Sequence, residues 1–141
     1  MTERQFRQII VAEWVLVALG TVAYLIALPR LPEPLRVYEE GRAAGPNSAS
    51  DVALMVFVMV LLPFAVWNAI ELYRFRPRAR RWFTVLLLVG FLTVPLGGPY
   101  VDSGWSQPFY YANMFLAGIV FATIHWTPLA SRFERSGSMA A

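Results

Sequence analysis

VALMVFVMVLLPFAVWNAIELY, residues 52–73, is the stretch whose reading decides the fold, because its only charged member, Glu71, stands close to its C-terminal end. A surface helix of a soluble domain would carry a polar stripe along its length, and this run carries none. A bilayer's hydrocarbon core, about 30 Å thick, is crossed by about 20 helical residues, so the run reads as a transmembrane helix. Ser50 or Asp51 supplies an N-cap, and Pro63 near the middle predicts a kink.

Working outward, a second apolar run lies upstream at 9–28, interrupted only by Glu13, Gly20 and Thr21. Arg4 and Arg7 precede it as they would a signal peptide. The run is longer than a usual h-region, however, and ends in Pro29-Arg30 with no small-residue cleavage site, so it reads as a retained span. Residues 29–51 hold Pro29, Pro32, Pro34 and Pro46 and are expected to form an irregular polar loop. Downstream, Arg74-Phe75-Arg76-Pro77-Arg78-Ala79-Arg80-Arg81 reads as a tight Arg-rich turn, 74–81, between antiparallel helices. A third span follows at 82–98, its far end loosened by Pro95, Gly97, Gly98 and Pro99. A loop at 97–108 leads to a fourth span at 109–129, which opens with the interfacial aromatics Phe109, Tyr110 and Tyr111 after Trp105. The tail after Pro128 is expected to fray. The predicted fold class is therefore all-α: a polytopic membrane protein, one transmembrane domain over 1–141, built as a four-helix bundle.

Composition agrees. Of 141 residues, 57% are hydrophobic and 15% charged, too apolar for an ordinary soluble domain. The absence of cysteine excludes disulfides, thiolate metal sites and iron–sulfur clusters in this chain. The pI near 9.7 could point to nucleic acid, but the arginines cluster beside the hydrophobic runs, so no nucleic-acid partner is expected. Nine arginines fall before the first span, in the 74–81 turn and in the tail, against three in 29–51 and none in 97–108. The positive-inside rule then places both termini and the turn on the cytoplasmic side (N-in/C-in), in what is expected to be a bacterial cytoplasmic membrane. Arg74, Arg76, Arg78, Arg80 and Arg81 are expected to meet lipid headgroups as well as to set topology.

This topology places Glu13, Glu71 and His125 at similar depth near the cytoplasmic interface, with Asn68 one helical turn from Glu71. Intramembrane ionisable groups are costly and commonly face a bundle interior, so these four residues form a candidate polar cluster, with the two carboxylates and the imidazole as a candidate proton relay or metal site. The commoner role of such groups is structural: snorkelling, a local ion pair or an interhelical hydrogen bond. A lone histidine can also ligate a pigment or haem, but bundle hydrogen bonding is the usual reason for one, and no cofactor is predicted. Small residues four apart, Ala65 with Ala69 and Gly118 with Ala122, permit close helix packing within the bundle or against a partner. No nucleotide-binding loop, catalytic triad or metal-spaced histidine pair is present, so no catalytic residues or metal are assigned and an enzyme is not expected.

The first span followed by Leu31-Pro32-Glu33, Val37-Tyr38 and Gly45-Pro46-Asn47, with a helix from Val52, resembles the first module of SdpI-type immunity and regulatory membrane proteins over residues 10–75. Tyr38 stands where that family's loop carries a histidine. The resemblance implies an immunity or signalling role with 29–51 as the outward recognition surface. The residues themselves point first to a non-enzymatic accessory or structural subunit of a membrane complex, partnered by another membrane protein or by copies of itself. The alternative is a small proton- or ion-coupled transporter or channel using Glu13 with Glu71 or His125.

Overall fold

The computed structural model describes residues 1–43, 49–93 and 104–138, all of whose regular structure is helical. Helix α1 (Glu3–Ala27) starts six residues before the expected span, because Thr2 and Gln5 form a capping box. The Thr2 hydroxyl accepts from the Gln5 amide at 3.3 Å, and the Gln5 side chain accepts from the Thr2 amide at 2.8 Å. The extra turns carry Arg4 and Arg7. Pro29 lies in the 3-10 turn Leu28–Arg30 that ends the helix.

The segment 29–51 differs from the expected irregular loop. Helix α2 (Glu33–Ala43) occupies it. Pro34 falls in the first turn, where the missing N–H costs nothing, so this proline starts a helix instead of breaking one. The Pro32 carbonyl accepts from Leu35 and Arg36 at 2.9 and 3.0 Å. The Tyr24 hydroxyl donates to Glu39 at 3.2 Å and ties α2 to α1.

Helix α3 (Ala49–Tyr73) runs unbroken through Pro63. It closes in a Schellman cap: Phe75, at φ 56°, donates to the Leu72 carbonyl, and Arg76 donates to the Glu71 carbonyl, each at 2.9 Å. The chain re-enters helix at once, since Pro77 has the φ of a first helical residue, and α4 (Pro77–Thr93) follows. The Arg-rich turn is thus only residues 74–76, and Arg78, Arg80 and Arg81 lie on α4. The remainder of the expected third span beyond Thr93, and the loop as far as Ser103, lie outside the described residues.

Helix α5 (Gln107–Trp126) stops three residues short of the expected end, because Thr127 is extended ahead of Pro128. The Thr127 hydroxyl and carbonyl then accept from Leu129 and Ala130 at 3.3 and 2.9 Å, which starts α6 (Ala130–Ser138) where a frayed tail was expected.

Gly20 meets Phe109 near the start of α5, while Phe6 and Ile10 share a core with Val120 and Ile124 near its end; α1 and α5 are therefore antiparallel. A Cβ at Gly20 would lie 3.2 Å from Phe109 Cβ, so the absent side chain permits the approach. The core joins this pair to the α3–α4 hairpin and to α6 through Phe6, Ile10, Leu72, Phe75, Ala79, Val120, Ile124, Leu129 and Phe133. Phe6, Phe75 and Phe133 lie with ring centroids 5.4 to 6.1 Å apart. Each buried aromatic removes a large apolar area from solvent, worth about 1.5–3 kcal/mol per side chain.

At the far end of the hairpin the pattern inverts. Met55, Val56, Phe57, Val58, Met59 and Val60 are all exposed, and six consecutive residues cover the whole circumference of a helix. Among the described residues, two helices are long and apolar enough to cross a membrane, Glu3–Arg30 and Met55–Tyr73. The core helix of a soluble protein can be equally apolar, but it is buried. Here only 11% and 17% of the most apolar windows are buried.

Candidate functional site

The sequence-predicted polar residues fall, among the described residues, into two networks on α4 and a carboxylate, Glu13, that belongs to neither. The first network joins α3 to α4. Asn68, 1% exposed, places its amide beside a helical peptide pair of α4: its nitrogen donates to the Ala79 carbonyl at 3.1 Å and its oxygen accepts from the Phe83 amide at 3.3 Å, in the orientation that satisfies both atoms. One turn on, the buried Glu71 carboxylate accepts from Arg78 Nε at 2.8 Å. That hydrogen bond pushes the Arg78 pKa up from its ordinary value. The Arg78 guanidinium lies over the Trp67 ring at 5.0 Å, and Phe64 packs against both Trp67 and Trp82. Arg74 follows Glu71 at the three-residue spacing of a helical ion pair, but the cap at Phe75 reverses the chain and presents Arg78 instead.

The second network joins α4, α5 and α6 around His125. Arg80 Nε lies 3.3 Å from His125 Nδ1, and Thr84 Oγ1 lies 3.0 Å from Nε2. The Thr84 hydroxyl proton is directed to the Arg80 carbonyl at 3.1 Å. Nδ1 must then be the acceptor and Nε2 the donor, which assigns a neutral ring protonated at Nε2. Arg80 also reaches Glu134 at 3.4 Å, and Phe121 packs on the imidazole with centroids 4.6 Å apart. A cleft of about 710 Å³ opens beside Arg80, Arg81, Thr84 and Glu134. With both ring nitrogens engaged, His125 presents no free lone pair to a haem or pigment in this arrangement.

Glu13 stands apart. It is half-buried on α1 and has no hydrogen-bond or ion-pair partner among the described residues. No hydrogen bond or ion pair among those residues links Glu13, Glu71 and His125, and no group of three or more His, Cys, Asp or Glu there could hold a metal.

Of the small residues, Ala69 packs against the core and Ala65 and Ala122 are half-buried. Gly118 is exposed, and a Cβ there would meet nothing within 4 Å. Sequence reasoning missed Thr84, Glu134 and Phe133. The spacing of Leu129 and Phe133, four apart between polar residues, is the signal that could have shown α6 as an amphipathic docking helix.

The chain matches no family of proteins, and no significant match to it is found among curated proteins or solved structures.

Proposed function

We propose that this chain is a four-span integral membrane protein with both termini cytoplasmic, acting as a non-enzymatic accessory or structural subunit of a membrane complex. The observation that carries the reading is the bare segment Met55–Val60, apolar and exposed on every side. A helix completing a self-contained bundle would bury one side there. The polar groups support the same reading, since Asn68, Glu71 and His125 are spent on fastening helices to one another. The arginine asymmetry supports the orientation.

A photo-crosslinking residue at Met59 tests the subunit role in membranes. A protein adduct of defined mass, either a second copy or one partner chain, is expected together with an extracted assembly larger than one chain. Lipid adducts alone on a monomer would contradict it.

One observation favours a second reading, proton- or ion-coupled transport: Glu13 lies within a span without a partner among the described residues. A coupling carboxylate must change protonation during its cycle. Glu13→Gln would then abolish pH-dependent flux in proteoliposomes, whereas the subunit reading has no flux to lose.

A further inference from the structure

We propose that the cleft between the first turns of α1 and the C-terminal end of α3 binds one anionic phospholipid, its phosphate held by Arg4 and Arg7. This inference rests on the reading of α1 as a span with a cytoplasmic N-terminus. The cleft, about 660 Å³, is cationic at its foot and apolar above. Arg7 is held against two rings, its guanidinium carbon 5.0 Å from the Tyr73 centroid and 5.5 Å from that of Phe75. Its Nε is buried and has no hydrogen-bond partner among the described residues. A buried donor of that kind is rare, and the half-buried Arg7 side chain that carries it lines the cleft.

The nearby carboxylate does not supply one. Glu3, one turn before Arg7, is paired with Arg132 at 2.6 Å. Among the described residues neither Arg4 nor Arg7 has an ion-pair partner. Two guanidinium groups thus line one groove whose single carboxylate, Glu3, is already engaged by Arg132. A phosphate offers the paired oxygens that guanidinium forks recognise, and Gln8 at the same level adds a further donor.

The wall above selects a lipid over free phosphate. Val11 and Val15, one turn apart on α1, line the cleft and are exposed, and Leu19 and Val22 continue the apolar ladder along the helix. An acyl chain leaving a phosphate at Arg4 and Arg7 would cover that ladder. Inorganic phosphate would leave it bare.

The test uses the full chain in detergent, with thermal unfolding followed in phosphatidylglycerol, phosphatidylcholine or inorganic phosphate. Phosphatidylglycerol should raise Tm by about 5 °C over phosphatidylcholine. The rise should vanish in Arg4→Gln/Arg7→Gln and persist in Arg76→Gln/Arg81→Gln. A rise kept by the first variant, lost equally in the second, or reproduced by inorganic phosphate would overturn the site. Should the double variant fail to fold, Arg4→Gln alone must lose the single phosphatidylglycerol that the wild type retains in native mass spectra; retention would overturn it. Cysteine labelling of the same material reports topology separately: correct labelling without a lipid effect sinks this site alone, whereas an outward N-terminus sinks the reading beneath it.

Discussion

Arg80 Nε faces His125 Nδ1 across 3.3 Å, so an arginine on α4 fixes which nitrogen of a histidine on α5 carries the proton. Because the same arginine reaches Glu134, the contact also decides how firmly α6 is held. Arg80→Gln removes both links. The loss of one charge-assisted hydrogen bond, about 1 kcal/mol net, should speed amide exchange of residues 130–134 about fivefold while α1 and α5 keep their protection. Unchanged exchange in α6 would show that Phe133, Leu129 and the Arg132–Glu3 pair hold it without Arg80.

Phe75 occupies the left-handed cap position that glycine usually takes, and its ring is locked between Phe6 and Phe133. Removing the ring should cost about 3–5 kcal/mol, as for other buried phenylalanines. The left-handed backbone costs about 1 kcal/mol for any residue with a Cβ and none for glycine. Phe75→Gly should therefore unfold at higher denaturant than Phe75→Ala, the reverse of the usual order inside a helix. If alanine is the better tolerated, the cap is not strained as described.

Two glycines separate packing within the chain from packing outside it. Gly20 lies against Phe109, so Gly20→Leu should pry α1 from α5 and lower the yield of folded protein. Gly118 faces open space, so Gly118→Leu should fold and keep its stability within about 0.5 kcal/mol. If Gly118 lies at the interface with a partner, co-purification is lost while the monomer stays intact. Equal damage from both substitutions would contradict the α1–α5 geometry.

The apolar runs at 9–28 and 52–73 were legible in the sequence because a stretch of that length with a single charged residue has few alternatives in water. What was not legible came from residues with two opposite local meanings. Pro34 was read as part of an irregular loop and Pro77 as part of a tight turn, yet a proline in the first turn begins a helix. The tail looked frayed because Arg132, Glu134 and Arg135 mask the pair Leu129 and Phe133, which enters the core. Depth along the bilayer could be drawn from span positions, and it set Glu13, Glu71 and His125 on one level. Azimuth could not be drawn. It depends on helix rotation and pairing, and it sends Glu71 to Arg78 and His125 to Arg80 while Glu13 meets neither.

The proposed topology has four crossings with both ends inside. The chain contains no cysteine, so single introduced thiols report without background. Cysteines placed at Ser48 and Ser103 should react with an impermeant maleimide on intact cells, and one at Ser136 should react only after lysis. Labelling of Ser136 from outside, or Ser48 and Ser103 falling on opposite sides, would contradict it.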